Sequence, residues 1–276
     1  MNRRYWIPAA ILAALCLICV ALLLGRTLPA NPPKPPPTVA PSASAKHSPA
    51  PTPAETAPVP SETPAPDVSA SPEPTPEPTP EPYVSPIDFE ALLAESPDIC
   101  GWLEIPGTEI SYPVLQNAVD DTYYLDRDEH GWYTANGSLF TEHQYNARDF
   151  SDTVTLIYGH HMRDGAMFGN LQATYSDPEQ FSELNRFFIY LPDREIEYEV
   201  FAAVPYDAVH ILYTYDFSSA RTFRYFFDDV LSTRVLGANV IPDYELDYDD
   251  HIVVLSTCLI GNNKRRFLVM GKEITE

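Results

Sequence analysis

Apolar and polar residues are arranged differently in three parts of the chain. Residues 5–25 form an apolar run without a charged side chain, and residues 26–86 are rich in proline and poor in aliphatic side chains. From Ile87 onward, short runs of β-branched and aromatic residues are bounded by Gly, Pro, Asn and Asp. The pattern predicts a membrane-spanning helix after a short cytoplasmic terminus (residues 1–4), an extended linker, and one folded domain at residues 87–276.

The folded domain is predicted to be mainly β. Strands are expected at residues 101–105, 110–115, 138–140, 153–158, 186–191, 197–205, 252–257 and 266–274. Apolar residues at helical spacing predict helices at residues 87–95, 167–175, 178–185 and 218–233. Many short strands with few helices indicate a closed or nearly closed β-barrel with helical insertions.

The apolar run at residues 5–25 is long enough to cross a bilayer. Its 21 residues would extend ~31 Å as a helix, about the thickness of the hydrocarbon core. Arg3 and Arg4 precede it and the first acidic residue is Glu55, which favours a cytoplasmic N-terminus and an extracellular remainder. A cleaved signal peptide is the alternative, and the residues after Leu24 offer it only a poor cleavage site.

The linker at residues 26–86 cannot build a hydrophobic core. Of the 29 prolines in the chain, 21 lie between Pro29 and Pro86. Dense proline favours extended polyproline II, so this segment could reach on the order of 150–180 Å at ~3.1 Å per residue. It is predicted to be a stalk, or else a disordered spacer of no set length.

The folded domain is strongly acidic. From Ile87 onward there are 12 Lys and Arg against 33 Asp and Glu, which gives a net charge of −21 out of −22 for the whole chain. Such a surface argues against nucleic acid as a partner. It suits either solubility or a basic partner.

One cysteine in the folded domain stands at a strand end. Cys16 and Cys19 lie in the apolar run, so only Cys100 and Cys258 fall in the domain, and no disulfide framework is implied. Cys258 follows the apolar strand Ile252-Val253-Val254-Leu255 and could project from the barrel rim. A small buried hydrophobe is an equally good interpretation of that segment alone, and it is the one expected for Cys100.

Two further residue types change that balance. Arg266 follows Cys258 by eight residues. If it begins the next strand, its guanidinium returns to the thiol, where it favours thiolate and can donate hydrogen bonds to a substrate oxyanion. His160 follows the apolar strand Thr155-Leu156-Ile157-Tyr158 and Gly159, whose freedom would let the chain turn. It is therefore the candidate proton-transfer group, although any single histidine can be structural.

These segments together resemble the sortases. The family pattern Thr-Leu-x-Thr-Cys, with an arginine on the next strand, is matched by Val254-Leu255-Ser256-Thr257-Cys258 and Arg266, except for Val at the first position. The family histidine follows a glycine, as in Gly159-His160. The class B sub-family is indicated by segments that begin at Gly101-Trp102-Leu103, Gly137-Ser138-Leu139-Phe140 and Gly165-Ala166-Met167-Phe168.

The resemblance implies an eight-stranded sortase-type β-barrel and a membrane-anchored, extracellular cysteine transpeptidase of the Gram-positive cell surface. It implies that Cys258 attacks a Thr–Gly or Thr–Asn type bond in a C-terminal sorting signal. His160 would transfer protons, and Arg266 would hold the substrate and its oxyanion. The partners would be surface proteins with sorting signals and an amine on a cell-wall precursor. No metal and no cofactor are expected.

The resemblance also implies a set of substrate-binding residues. Ser256 and Thr257 flank the nucleophile, and Asp121 and Leu125 match a class B segment that contacts substrate, although an ordinary loop acid and a core leucine are equally good interpretations. Leu259, Ile260 and Gly261 follow Cys258, so no acidic group is offered there. Two alternatives stay open: a sortase that polymerises pilins through a lysine amine, and a non-catalytic stalked adhesin or wall-binding module.

Overall fold

The computed structural model describes residues 83–275. The predicted membrane helix at residues 5–25 and nearly all of the predicted stalk lie outside these residues. Across residues 83–275, no helix combines the length and the apolar character needed to cross a bilayer.

Residues 83–275 form a closed barrel of eight strands with a ninth short strand at its side. The strands are β1 Ile99–Glu104, β2 Ser111–Leu115, β3 Leu139–Phe140, β4 Val154–Tyr158, β5 Arg186–Tyr190, β6 Glu195–Asp207, β7 Asn239–Val240, β8 Ile252–Leu259 and β9 Asn262–Glu273. Their order is β5-β1-β2-β3-β4-β8-β9-β6, and β6 also pairs with β5, which closes the barrel, while β7 pairs with β6. The predicted eight-stranded, mainly β barrel is therefore confirmed.

Two of the strand pairs are parallel and the others are antiparallel. β2 pairs with β3, and β4 with β8, in parallel register. The β4–β8 pair matters for the site, because the carboxyl ends of both strands then lie at the same rim of the barrel.

Five short helices lie around the barrel within the described residues. They are α1 Phe89–Glu95, α2 Leu171–Ser176, α3 Pro178–Glu183, α4 Ile211–Thr214 and α5 Ala220–Leu231, with a 3₁₀ turn at Tyr123–Leu125. Ser219 caps the N-terminus of α5, where its hydroxyl accepts a hydrogen bond from the Thr222 amide. Asp177 caps α3 in the same way, with Pro178 in the first turn.

The barrel strands separate two hydrophobic cores by residue parity. Ile157 on β4, Val253 and Leu255 on β8, and Phe267 on β9 point into the barrel core. Their neighbours Leu156, Val254 and Leu268 point outward, where α5 covers them with Phe223, Phe226 and Phe227. This alternation is the period-2 pattern of a strand buried on both faces. The insertion between β6 and β7 is thus a lid over the outer face of β4, β8, β9 and β6.

Some element boundaries differ from the sequence predictions. The helix expected from residue 167 begins only at Leu171, because Gly165 and Met167 adopt positive φ angles of 89° and 53° that a helix does not accommodate. The predicted α5 is confirmed but shorter. β7 and α4 were not predicted. His210 precedes the four-residue α4 and caps it, because its ring nitrogen accepts a hydrogen bond from the Tyr213 amide.

Candidate active site

Cys258 lies on β8 at the point where the strand emerges from beneath the lid. The residues before it on β8 are buried, whereas Cys258 and Leu259 are partly exposed. By parity Cys258 shares the outer face with Val254, so its thiol points away from the barrel core. The structure therefore presents the thiol at the barrel surface, and its sulfur forms no disulfide.

Arg266 reaches the thiol by a different route from the one predicted. The next strand does not begin at Arg266; β9 begins at Asn262, directly after the two-residue turn Ile260-Gly261, in which Gly261 has φ 73°. A bulge then brings Arg266 directly opposite Cys258 in the antiparallel ladder. The guanidinium Nη1 lies 3.7 Å from the Cys258 sulfur. The expected proximity is observed, and the hairpin register produces it.

The three consecutive basic residues after the turn occupy different environments. Lys264 is exposed, while Arg265 lies 3.4 Å from the Asp207 carboxylate on β6. Arg266 Nη1 also donates to the carbonyl oxygen of Asn263 at 3.1 Å, a bond within the same hairpin that holds its guanidinium beside the sulfur. Only Arg266 of the three is directed to the thiol.

His160 lies at the same barrel rim as Cys258. The parallel register pairs Tyr158 on β4 with Ser256 on β8, and the Gly159 amide donates to the Ser256 carbonyl oxygen at 3.1 Å. His160 and Cys258 each lie two residues beyond that aligned pair. Neighbouring strands are ~4.8 Å apart, so the two residues leave adjacent strands at one level of the barrel.

The His160 ring is held by a backbone contact. Its Nε2 lies 2.7 Å from the carbonyl oxygen of Leu125. A carbonyl oxygen can only accept, so Nε2 carries the hydrogen and donates it. The other nitrogen, Nδ1, is then the position at which a neutral imidazole can take up a proton.

Gly159 serves close packing and not the sharp turn that its sequence position predicted. Its φ is not positive, and it continues the β4–β8 ladder. A Cβ atom there would lie 2.5 Å from Leu139 Cδ2 and 2.5 Å from Phe168 Cδ2, both in fully buried side chains. The glycine therefore lets the barrel core approach the backbone directly beside His160.

The predicted substrate-binding residues fall in two different settings. Leu125 is 47% exposed beside His160. Ser256 and Thr257 are only 4% and 2% exposed, and Thr257 points into the barrel, where its hydroxyl has no hydrogen-bond partner among the described residues. The Asp121 carboxylate accepts a hydrogen bond from the backbone amide of His143 and also contacts the Nδ1 atom of that residue. Of the four, Leu125 alone offers a surface, and substrate contact by the others stays a prediction.

An acidic side chain that sequence analysis did not select lies near these groups. Glu142 follows β3, is 7% exposed, and accepts a hydrogen bond from the Tyr158 hydroxyl at 3.0 Å. Tyr158 is the last residue of β4 and stands two residues before His160. A glutamate in a loop gives no periodic signal, so only the folded chain brings it to the site.

Cys100 provides the internal contrast to Cys258. It is 7% exposed in the barrel core, and its thiol donates to the carbonyl oxygen of Val114 at 3.3 Å. Burial raises the pKa of Cys100 to about 12, which keeps it a neutral thiol. The prediction that Cys100 is a small buried residue is confirmed.

A closed barrel that exposes a thiol beside a guanidinium and a histidine at one rim is typical of an enzyme that transfers acyl groups through cysteine. Comparison with known proteins identifies the family. The family model described as the sortase domain matches residues 103–274. The chain belongs to the sortase family.

Individual relatives point to class B. The chain is 32% identical over 181 residues to sortase B of Listeria monocytogenes, covering 65% of this chain and 71% of that protein. The crystal structure of Bacillus anthracis sortase B in complex with AAEK1 superposes with a TM-score of 0.60 at 28% identity, covering 72% and 90% of the two chains. A Streptococcus pyogenes class B sortase involved in pilus biogenesis superposes with a TM-score of 0.57 at 25% identity, covering 68% and 98%.

The resemblance seen in the sequence is thereby confirmed. The chain is a sortase of the class B type, a cysteine transpeptidase that anchors surface proteins.

Proposed function

We propose that Cys258 is the nucleophile, His160 the proton-transfer group and Arg266 the oxyanion-binding group of this transpeptidase. The observation that carries the proposal is the 3.7 Å contact between Arg266 Nη1 and the Cys258 sulfur at an exposed strand end. A guanidinium in that position remains charged throughout the reaction and can donate hydrogen bonds to an oxyanion.

Acylation follows from these positions. The Cys258 thiolate attacks the carbonyl carbon of the threonine in the sorting signal, and the carbonyl oxygen becomes an oxyanion beside Arg266. When the C–N bond breaks, His160 gives a proton to the leaving amine. The products are a thioacyl-enzyme and the released C-terminal part of the sorting signal.

Transfer to the second substrate reverses the proton movement. An amine attacks the thioester carbon, His160 takes its proton, and the C–S bond breaks to restore the Cys258 thiolate. The Leu125 carbonyl contact keeps the Nε2 hydrogen in place, so we assign the exchanged proton to Nδ1. Leu125 is proposed to form the exposed part of the groove that holds the sorting signal, with Asp121 and Ser256 beside it, whereas Thr257 points into the barrel.

The incoming amine is proposed to belong to a cell-wall precursor. A lysine on a pilin subunit is the second candidate, favoured by the similarity to the Streptococcus pyogenes class B sortase involved in pilus biogenesis. Membership of a family of transpeptidases argues against a purely adhesive role. The two candidates differ only in the second half-reaction.

We further propose that the helix at residues 5–25 anchors the enzyme in the membrane of a Gram-positive cell, with the catalytic domain outside on the stalk of residues 26–86. The charge-free run and the arginines before it support this orientation. In intact cells, a membrane-impermeant maleimide should label the wild-type chain and not the Cys258→Ala variant. Labelling only after lysis would contradict an extracellular domain.

The activity is tested with the full chain in detergent, a panel of peptides containing Thr–Gly or Thr–Asn bonds, and three kinds of amine. The amines are glycine peptides, a wall peptide with a diamino acid, and a lysine-bearing protein. Mass spectrometry should show a new amide bond between the threonine carbonyl and one amine class. Wall peptide as the preferred acceptor supports anchoring, protein lysine supports pilin polymerisation, and hydrolysis alone with every amine contradicts both.

A further inference from the structure

The side chain of Glu142 is a buried carboxylate that is hydrogen-bonded to Tyr158, the last residue of β4. Both oxygens of Glu142 are occupied: the Tyr158 hydroxyl donates to Oε2 at 3.0 Å, and His210 Nε2 donates to Oε1 at 3.0 Å. Its side chain is 9% exposed. Buried carboxylates are costly, and this one is retained with a specific partner for each oxygen.

The hydrogen-bond directions define the protonation of Glu142, Tyr158 and His210. His210 Nδ1 accepts from the Tyr213 amide at 3.1 Å, so in the neutral ring the hydrogen is on Nε2 and points at Glu142. Tyr158 can only donate to an ionised carboxylate. Burial raises the pKa of Glu142, and the hydrogen bonds from Tyr158 and His210 work against that rise. Glu142 thus acts as an acceptor at both oxygens.

Tyr158 connects this carboxylate to the reacting groups. On the outer face it is aligned with Ser256, while Arg266 is aligned with Cys258 on the opposite side of β8. Tyr158 and Arg266 therefore flank the end of β8 from its two neighbouring strands. Burial and the Glu142 carboxylate raise the pKa of Tyr158, so its hydroxyl stays protonated and donates to Glu142.

His210 connects the same carboxylate to the lid. It follows the end of β6 by three residues, where Tyr206 is aligned with Arg266. It also begins α4, the first helix of the lid. Glu142 therefore joins the loop after β3, strand β4 and the start of the lid at one point.

We propose that Glu142 is a positioning residue for acyl transfer at Cys258. It holds Tyr158, which lies across β8 from Arg266, and it holds His210, which precedes the first helix of the lid. This inference rests on the proposed function of the thiol. It differs from a merely structural role because it predicts loss of acylation that loss of stability does not explain.

The chain offers a matched control for the Tyr158 bond. The Tyr244 hydroxyl donates to Glu199 Oε2 at 2.9 Å, a second tyrosine–glutamate hydrogen bond of the same kind. Glu199 is aligned with Lys272 on β9, six residues from Arg266, or ~20 Å at ~3.3 Å per residue. Tyr158→Phe and Tyr244→Phe each remove one oxygen atom, but only the first does so beside the site.

The test measures single-turnover formation of the thioacyl-enzyme by the full chain in detergent, with thermal unfolding of each variant recorded alongside. Tyr158→Phe and Glu142→Gln should each slow acylation about tenfold or more, because small displacements of reacting groups have effects of that size. Tyr244→Phe should stay within about twofold of wild type at a similar loss of thermal stability. The double variant at Glu142 and Tyr158 should be no slower than the slower single variant, since Tyr158 acts through its hydrogen bond to Glu142.

Acylation by Tyr158→Phe within twofold of wild type would overturn the inference, as would an equal loss in Tyr244→Phe. Tyr158→Phe decides the matter if Glu142→Gln does not fold. If no peptide of the panel acylates the wild-type chain, the proposed function fails. The rate at which iodoacetamide alkylates Cys258 then tests the positioning role separately. That rate should change at least threefold in Tyr158→Phe, which conserves charge, and not in Tyr244→Phe; an unchanged rate would refute positioning.

Discussion

Replacement of Gly159 by alanine should destabilise the barrel and displace His160. The added Cβ would lie 2.5 Å from both Leu139 Cδ2 and Phe168 Cδ2, about 0.9 Å inside ordinary contact, which begins at 3.4 Å. Both side chains are fully buried and cannot swing aside. Overpacking of this kind costs ~1–3 kcal/mol. For a domain of this size, that corresponds to a fall in melting temperature of roughly 2–12 °C.

The matched comparison is Gly101→Ala, another glycine without positive φ, whose added Cβ would meet its nearest neighbour at 3.0 Å. Its cost should be smaller, because the overlap is about half as large. Denaturant unfolding gives both free energies of unfolding, and single-turnover acylation shows the effect on His160. Gly159→Ala within ~0.5 kcal/mol of wild type, or a larger loss for Gly101→Ala, would refute the reasoning.

Three further predictions address the site and its support. Arg266→Lys keeps the charge and loses the planar guanidinium fork, so kcat/KM should fall ~10²–10³-fold. Arg265→Lys, at the ion pair with Asp207, should leave kcat/KM within a few-fold of wild type. Equal effects of the two substitutions would remove Arg266 from its role. At pH 8 iodoacetamide should modify Cys258 in the folded chain and reach Cys100 only in denaturant, because burial raises the pKa of Cys100 to about 12 and its thiol remains protonated. Modification mapped to Cys100 in the folded chain would contradict this. Asp177→Ala should lower the free energy of unfolding by ~0.5–2 kcal/mol, since Asp177 accepts two amide hydrogen bonds at the start of α3. It should not slow acylation. Slowed acylation would link α3 to the site.

The local pattern of the sequence was sufficient for the strands that carry the site. The apolar runs before His160 and Cys258 predicted β4 and β8, because strands buried on both faces are continuously apolar. Their parallel pairing depends on contacts between residues almost one hundred positions apart, which periodicity does not encode. The strand pattern also indicated a barrel and the three candidate site residues, and the resemblance to the sortases added the number of strands and the roles of those residues.

Features set by tertiary contact could not be predicted. Arg266 reaches Cys258 through a bulge and a two-residue turn, whose register depends on the pairing of β9 with both β8 and β6. The role of Gly159 depends on Leu139 and Phe168, which are distant in sequence or lie beyond a loop. Glu142 and His210 belong to irregular segments, so their meeting at one carboxylate became visible only in the folded chain.

The identity of the acylated residue tests the central claim most directly. The full chain is incubated with a sorting-signal peptide, digested, and mapped by mass spectrometry, with Cys258→Ala in parallel. The proposed mechanism predicts one thioacyl adduct on the peptide that contains Cys258, and neither adduct nor cleavage in Cys258→Ala. An adduct on another residue, or undiminished cleavage by Cys258→Ala, would contradict it.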